Sequence, residues 1–538
     1  MSFRFVVLAL VVCCAASAQS TGGSSLNGIG ARSQLVSKLV SKQWEFSLPE
    51  SVLQRTFLFQ GATGRLKQVL INLLTGRSVR IGLLGGSVSA ERGITEGPGH
   101  GFFTLLSKWL PLAFPKAKLV LKNGAISGTP SMYVERVMSS RLDPGVDLVL
   151  LEYAVNNRFN TTTMEYEDVR SVERIVRLLL EGAPADAHTG GKVQTRKPAA
   201  LLMVNMWRCC VFDSAKHSYR ATRFTEKDLT DHHNVLSQYY GIPSVAVRNG
   251  LHHAFHRGDG IFSDVSEVYP PNDAHSMIHP NALGHKYMAD MIVYALYTTL
   301  AQLEQLGITP GDWELIREPL PPPLVSDARK HEVVLSSWHS EELREAVSSA
   351  DGWEWGFESG KGGFSTREPG AELRLKLDTT IPAAVRQGGS GHAGDGVRVH
   401  VQLGLLKSYQ GMGVVHVTCS GGCTCKPTDF DTNDAGDRTS QTTLYALEVS
   451  PSPLCIVLLE CSEKSTSDKN KHKIVLRGLA VTALLTMPES AAEDGMKLPE
   501  VHGEDPGRGW VGSGGPHAAA VVDRALGLGG SAQEDSRR

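Results

Sequence analysis

The sequence predicts an α/β protein: a three-layer α/β/α sandwich around a parallel sheet of about five strands, followed by a β-sandwich. Three observations predict it. Between Val79 and about Leu306, short apolar runs alternate with amphipathic segments. Those runs lack the polar–apolar alternation of a half-exposed strand, as strands covered on both faces should. After Gly307 the pattern changes to alternating strands separated by Gly, Asp and Ser.

The strand candidates are, in order, "VRIGLL" (79–84), "KLVLK" (118–122), "DLVLLEY" (147–153), "ALLMVN" (200–205) and "PSVAV" (243–247). Helices fit between them. In "YEDVRSVERIVRLLLEG", Val169, Val172, Val176 and Leu179 recur at helical spacing. In "PNALGHKYMADMIVYALYTTLAQL", Tyr287, Met288, Met291, Ile292 and Ala295 form a stripe, and Pro280 suits the first helical turn. Crossovers between such strands are right-handed. "EPLPPPLVSD" (318–327) then reads as a linker. "AELRLKLDTT", "GVRVHVQLGLL", "GVVHVTC", "LYALEV", "LCIVLLE" and "KIVLRGLAVTALL" read as strands of the β-sandwich.

The start, "MSFRFVVLALVVCCAASAQS", has one Arg, an apolar core and the small triplet Ala16-Ser17-Ala18, the pattern of a secretory signal peptide cleaved before Gln19. No later run approaches the roughly 18 apolar residues of a membrane span. The expected organisation is therefore a signal peptide (1–18), an N-terminal lead segment (19–77), the α/β domain (78–306), a Pro-rich linker (307–332), the β-sandwich (333–487) and a disordered tail (488–538). The expected location is extracellular. A formal net charge of −2 over 538 residues gives no reason to expect a nucleic-acid partner. The composition leaves the oligomeric state open.

Seven cysteines follow the leader; five of them, Cys419, Cys423, Cys425, Cys455 and Cys461, fall in the last third. In an oxidising compartment these read as disulfides of unassigned pairing, with an odd thiol left at Cys209 or Cys210. The Cys-x3-Cys-x-Cys cluster matches no zinc module, and neither do His252, His253 and His256 in "LHHAFH". No metal and no cofactor is expected. Asn160-Thr161-Thr162 is a glycosylation acceptor.

Four segments align with strand ends, where open parallel sheets bind ligands. In "GLLGGSVS", Gly85 and Gly86 permit a sharp turn and Ser87 stands where a helix begins; Ser89 takes the place of the last Gly of a G-x-S-x-G elbow. In "NGAISGTPS", Gly128 lets a substrate oxygen approach the backbone. "LEYAVNN" ends in Asn156-Asn157, whose amides can donate into a cleft. In "NDAHSMIHPNALGHKYM", His279-Pro280 precedes the last helix. Each segment alone has an ordinary structural explanation: a helix cap, two turns and a loop histidine.

In this order the four segments resemble the SGNH hydrolases, or GDSL esterases, over about residues 78–305. "NGAISG", "AVNN" and "HPNALGH" are similar to that family's second, third and last blocks. Within the family the likeness is to secreted algal and plant-like proteins carrying GGS in place of GDS. "WEWGFE" and "SYQGMG…CSGGCTC" resemble the β module some of these carry.

The resemblance implies a flavodoxin-like sheet and a Ser87 nucleophile with His279 as general base. It also implies an oxyanion hole from the N–H groups of Ser87 and Gly128 and the Asn156 amide. Two departures stand out. Gly86 replaces the usual Asp, and Ser276 stands where the usual Asp-x-x-His places its acid. Asp273, six residues before His279, is the candidate for orienting the imidazole; otherwise a Ser-His dyad results. His275 competes for the base role.

The function implied is hydrolysis of small acyl esters, O-acetyl groups on a polysaccharide or glycoprotein included, with an acylated small molecule or glycan as partner. The same site could instead serve an O-acyltransferase. A fold that has lost its acid could serve as a non-catalytic glycan-binding or matrix protein, and a serine protease fits the block order poorly.

Overall fold

The computed structural model describes residues 40, 42–157, 167–182, 198–213, 218–225, 229–257, 265–270, 278–325, 331–358, 360–383, 397–435, 440–467 and 470–485. The leader, Asn160, Asp273, His275, Ser276 and the tail from 488 lie outside them. The α/β and β-rich parts belong to one compact unit, Met1–Met487.

The chain enters through α1 (Glu50–Arg55), β1 (Phe57–Phe59) and α2 (Gly64–Leu74). Every predicted strand of the parallel sheet is present: β2 (Ser78–Gly85), β3 (Lys118–Asn123), β4 (Leu148–Glu152), β5 (Ala200–Asn205) and, after the hairpin β6 (Cys210–Asp213)–β7 (Ser218–Ala221), β8 (Ser244–Ala246). Their order is β1-β8-β5-β4-β2-β3. Four pairings are parallel, and β1 joins β8 antiparallel at the edge. The lead segment therefore supplies the sheet's sixth strand.

Strands β4 and β5 are buried throughout, and their side chains alternate between two cores. Leu148, Leu150, Ala200 and Leu202 face a core shared with α2, α3 (Phe102–Ala113) and the long C-terminal helix of this layer. Val149, Leu151, Leu201 and Met203 face a core with α4 (Ser131–Arg141), α5 (Glu167–Glu181) and α6 (Leu229–Tyr239). Apolar residues on both faces explain why the strand sequences run apolar without alternation. The helical stripe Val169, Val172, Val176 and Leu179 is buried as its spacing predicts.

After α7 (Val247–Arg257), helix α8 spans Ala282–Leu306. Its N-cap is Asn281, whose side chain accepts from Gly284 N at 3.1 Å. Pro280 thus precedes the cap rather than occupying the first turn, because Asn281 carries the side-chain oxygen that accepts a first-turn N–H. Residues of the predicted linker form α9 (Pro310–Arg317), closed by a reciprocal Thr309–Asp312 capping box. Asp312 also pairs with buried Lys67 at 2.8 Å. The proline run is held in place too: the Leu324 and Val325 N–H groups both donate to the Glu173 carboxylate of α5.

The C-terminal part carries β9 (His331–His339), β10 (Val347–Asp351), β11 (Glu354–Glu358), β12 (Lys361–Thr366), β13 (Glu372–Leu377), β14 (Val397–Lys407), β15 (Val414–Ser420), β16 (Thr428–Asp431), β17 (Gln441–Val449), β18 (Cys455–Cys461) and β19 (Ile474–Leu485). They form two antiparallel sheets, β10-β13-β18-β15-β16 and β11-β12-β19-β14-β17, with β9 also on β19. Leu373, Leu375, Val457 and Leu459 of one sheet pack on Val399, Val401, Leu403 and Val481 of the other. This is the predicted sandwich.

Disulfides join Cys419–Cys425 and Cys423–Cys455, and adjacent Cys209 and Cys210 bond to each other. The unpaired thiol is Cys461, buried at the end of β18, and not Cys209 or Cys210 as expected.

The sandwich docks on α4. Tyr133, fully buried, shares a 2.7 Å hydrogen bond with His339 Nδ1 of β9, and Arg136 Nε donates to Gln402 Oε1 of β14 at 2.8 Å. Helix α4 follows directly on the Gly128 loop. Its packing partner is therefore placed beside the candidate site.

Candidate active site

Strand β2 ends at Gly85, and the chain turns at once. The turn is closed by bonds from Ala90 N to Gly86 O, Glu91 N to Val88 O and Arg92 N to Ser87 O. This mixed pattern is not a regular helix; the next one starts at Phe102. Ser87 is thus not the helix cap that its sequence context also allowed.

The turn rests on Glu152, the last residue of β4, which is fully buried. The Ser89 hydroxyl donates to Glu152 Oε2 at 2.9 Å. Burial pushes the Glu152 carboxyl up to about 7, against the pull of hydrogen bonds from Ser89 and from the Gly86 and Ser89 backbones. Ser89, which breaks the G-x-S-x-G pattern, is therefore the tie between the Ser87 turn and the sheet. Sequence reasoning passed over Glu152; its signal was an acid within an otherwise apolar buried strand.

Ser87 is nearly buried, and its Oγ lies 2.8 Å from His279 Nε2. Two residues 192 positions apart thus form a serine–imidazole pair. His279 enters on the loop just before the Asn281 cap of α8, which fixes where that loop must end. The nearby His285, buried inside α8, accepts from Phe102 N at 3.3 Å. Burial, then the neighbouring His279, pull its pKa down to about 3, so it is a neutral acceptor of structural use. Asp273, His275 and Ser276 lie outside the described residues.

Asn156 follows β4 and reaches back over the turn. A Cβ placed on Gly86 would lie 1.8 Å from Asn156 Oδ1. The glycine that departs from the GDS pattern is thus the space the Asn156 amide occupies. Asn157, by contrast, accepts from Ser131 N at 2.8 Å and donates to Ser131 Oγ at 2.9 Å, tying the start of α4. Of the two asparagines, one packs over the Ser87 turn and the other ties the start of α4.

Gly128 sits at φ +69°, a conformation that favours glycine. Among the described residues, none accepts a hydrogen bond from the Ser87 N–H, the Gly128 N–H or the Asn156 Nδ2. Ser87 and Asn156 are buried and Gly128 is half-buried, and all three stand at the ends of the neighbouring strands β2, β3 and β4.

The sandwich closes the far side. At the start of β17, Gln441 Nε2 donates to Asn156 O at 2.5 Å, and Thr442 N donates to Gly128 O at 2.9 Å. Consecutive residues of one strand therefore hold both the Asn156 and the Gly128 loops. Sequence reasoning assigned the sandwich no residue here, since nothing in "QTTLYALEV" signals a partner more than two hundred residues away.

The His252 ring is buried against Trp207 and Phe224, with centroids at 5.5 and 5.2 Å, and packs as an aromatic. Among the described residues there is no group of three or more His, Cys, Asp and Glu suited to a metal ion, and no helix is long and apolar enough to cross a membrane.

Solved structures share this architecture. The chain is similar to a two-domain esterase (CEX) active on acetylated mannans, with 18% identity over 81% of this chain and 99% of that one, at a TM-score of 0.51. The same esterase co-crystallised with mannopentaose matches at 18% identity and TM-score 0.51, covering 81% of this chain and 98% of that one. No protein-family model matches the chain, and no curated protein matches it significantly. At this identity the likeness shows the fold: an α/β layer followed by antiparallel β sheets.

Proposed function

We propose that this protein is a secreted serine esterase of the SGNH type, releasing small acyl groups, chiefly O-acetyl, from a glycan. The observation that carries the reading is the 2.8 Å Ser87–His279 contact beside three unpartnered donors.

In this mechanism His279 Nε2 takes the Ser87 proton as Oγ attacks the ester carbonyl carbon. The carbonyl oxygen becomes an oxyanion and receives the Ser87 and Gly128 N–H groups and the Asn156 amide. As the carbonyl re-forms, the C–O bond to the alcohol breaks and the imidazolium protonates the departing oxygen. Water, deprotonated by the same imidazole, then attacks the acyl-enzyme; the acyl–Oγ bond breaks, the imidazolium returns the proton to Ser87 Oγ, and the acid leaves. Three donors fixed by the fold would supply the electrostatic stabilisation such reactions depend on.

A glycan substrate is supported by the shared fold with an esterase whose name records activity on acetylated mannans. Export is supported by the leader-like start and three disulfides. The test is acetate release from nitrophenyl acetate and acetylated glycans by wild type and Ser87→Ala. Equal rates in both would refute the assignment of Ser87.

A further inference from the structure

Lys361 begins β12 at the tip of the β11–β12 hairpin, where it pairs with Glu358. That tip points at the site: a Cβ built on Gly128 would lie 2.5 Å from Lys361 Nζ. The sandwich therefore puts an amine against the loop that supplies one of the candidate oxyanion donors. Lys361 is partly buried, and among the described residues its side-chain amine makes no hydrogen bond and no salt bridge.

Its charged surroundings make this unusual. The nearby cations are Arg477 of β19 and Arg92 of the nucleophile turn, and the nearby acid is Glu358. Glu358 pairs with Lys473 and, through an Oε2 that accepts no hydrogen bond, with Arg477 at 3.6 Å, and it makes no salt bridge to Lys361. Arg477 is buried, and its Nε and Nη1 also have no hydrogen-bond partner. Burial, then Arg477 and Arg92, pull the Lys361 amine down to about 7. Taking an ammonium out of water without an anion costs free energy that a bound anion returns.

We propose that Lys361 is a specificity residue that binds a carboxylate or sulfate on the alcohol half of the substrate, so that the preferred ester is an acylated acidic glycan. The proposal rests on the esterase reading above and narrows it to a substrate class. The sandwich's role is then to read charge next to the scissile ester.

The experiment compares kcat/KM for acetate release from acetylated oligogalacturonate, an acetylated sulfated galactan and acetylated glucomannan, using the full chain. Wild type should favour at least one acidic substrate over the neutral one by tenfold or more. Which acidic substrate is preferred distinguishes carboxylate from sulfate. Lys361→Gln should cut that preference about tenfold, Lys361→Arg should keep most of it, and Lys361→Glu should invert it.

An equal rate on acidic and neutral glycans by wild type would overturn the proposal. So would a uniform loss on all three in Lys361→Gln, which would place the amine at the oxyanion instead. If no ester is cleaved, the esterase reading fails separately. Calorimetric binding of unacetylated oligogalacturonate and of the sulfated galactan to Ser87→Ala, with and without Lys361→Gln, then tests the anion site. Binding lost on removing Lys361 upholds it, and binding of neither anion overturns it.

Discussion

The two sides of the cleft are built differently. On the α/β side, the serine turn is fixed by residues close to it in the fold: Gly86, Ser89, Glu152 and Asn156 interlock within the ends of two adjacent strands. On the sandwich side, Gln441, Thr442 and Lys361 reach loops they are linked to only through docking on α4. The first arrangement survives local repacking. The second depends on an interface, and interfaces tolerate rigid-body shifts that a strand end does not. A shift of about 1 Å at reacting groups can cost about a hundredfold in rate.

The largest effect expected from breaking the α/β side is Ser87→Ala. Steady-state assays on nitrophenyl acetate should fall by about 10⁴-fold or more, and His279→Ala should fall comparably, because a nucleophile and its base act as a unit. Next comes Gly86→Asp, which restores the residue usual in the resembled family. Its Cβ occupies the position of the Asn156 amide, so loss of that donor should lower kcat about 10²- to 10³-fold. A fully active Gly86→Asp would show that Asn156 is not the donor.

The sandwich side should give a smaller effect that separates kcat from KM. Gln441→Glu replaces the donor to Asn156 O with an acceptor, and kcat on nitrophenyl acetate should fall about tenfold with KM little changed. Activity should recover as pH falls and the new carboxyl becomes protonated, since it can then donate again. A pH profile parallel to wild type would assign Gln441 to packing alone.

The smallest effect on activity, and the most specific on stability, is expected at Glu152. Its folded pKa, about 7, lies above the ordinary 4.5. The folded state therefore holds the proton more tightly, and this group's contribution to stability declines as pH rises from about 4.5 to about 7. Glu152→Gln, neutral at every pH, should gain on wild type across that window, by about 3 kcal/mol at its upper end. Thermal melts from pH 4.5 to 8 measure this, and a difference independent of pH would mean the carboxyl ionises alike in both states.

Much was legible because it is local. Strand runs, helical stripes and the sandwich pattern follow from side-chain periodicity, and each predicted strand of the parallel sheet formed. Pro280 and Ser87 were misplaced relative to helix starts because cap and turn geometry depend on which hydrogen bonds the tertiary structure leaves available. The vicinal disulfide was missed because a cysteine count shows that one thiol is left over and not which one.

The sequence by itself determined the layers and named Ser87, Gly128, Asn156 and His279, since each lies at the end of an apolar run or before a capped helix, where short-range chemistry marks it. Tertiary structure alone decided that Ser87 and His279 touch, that Gly86 is empty for the sake of Asn156, that Glu152 underpins the turn, and that Lys361 and Gln441 reach the Gly128 and Asn156 loops. These contacts join residues dozens to hundreds of positions apart. Periodicity reports which face a residue shows, while the packing of two sheets decides what that face meets.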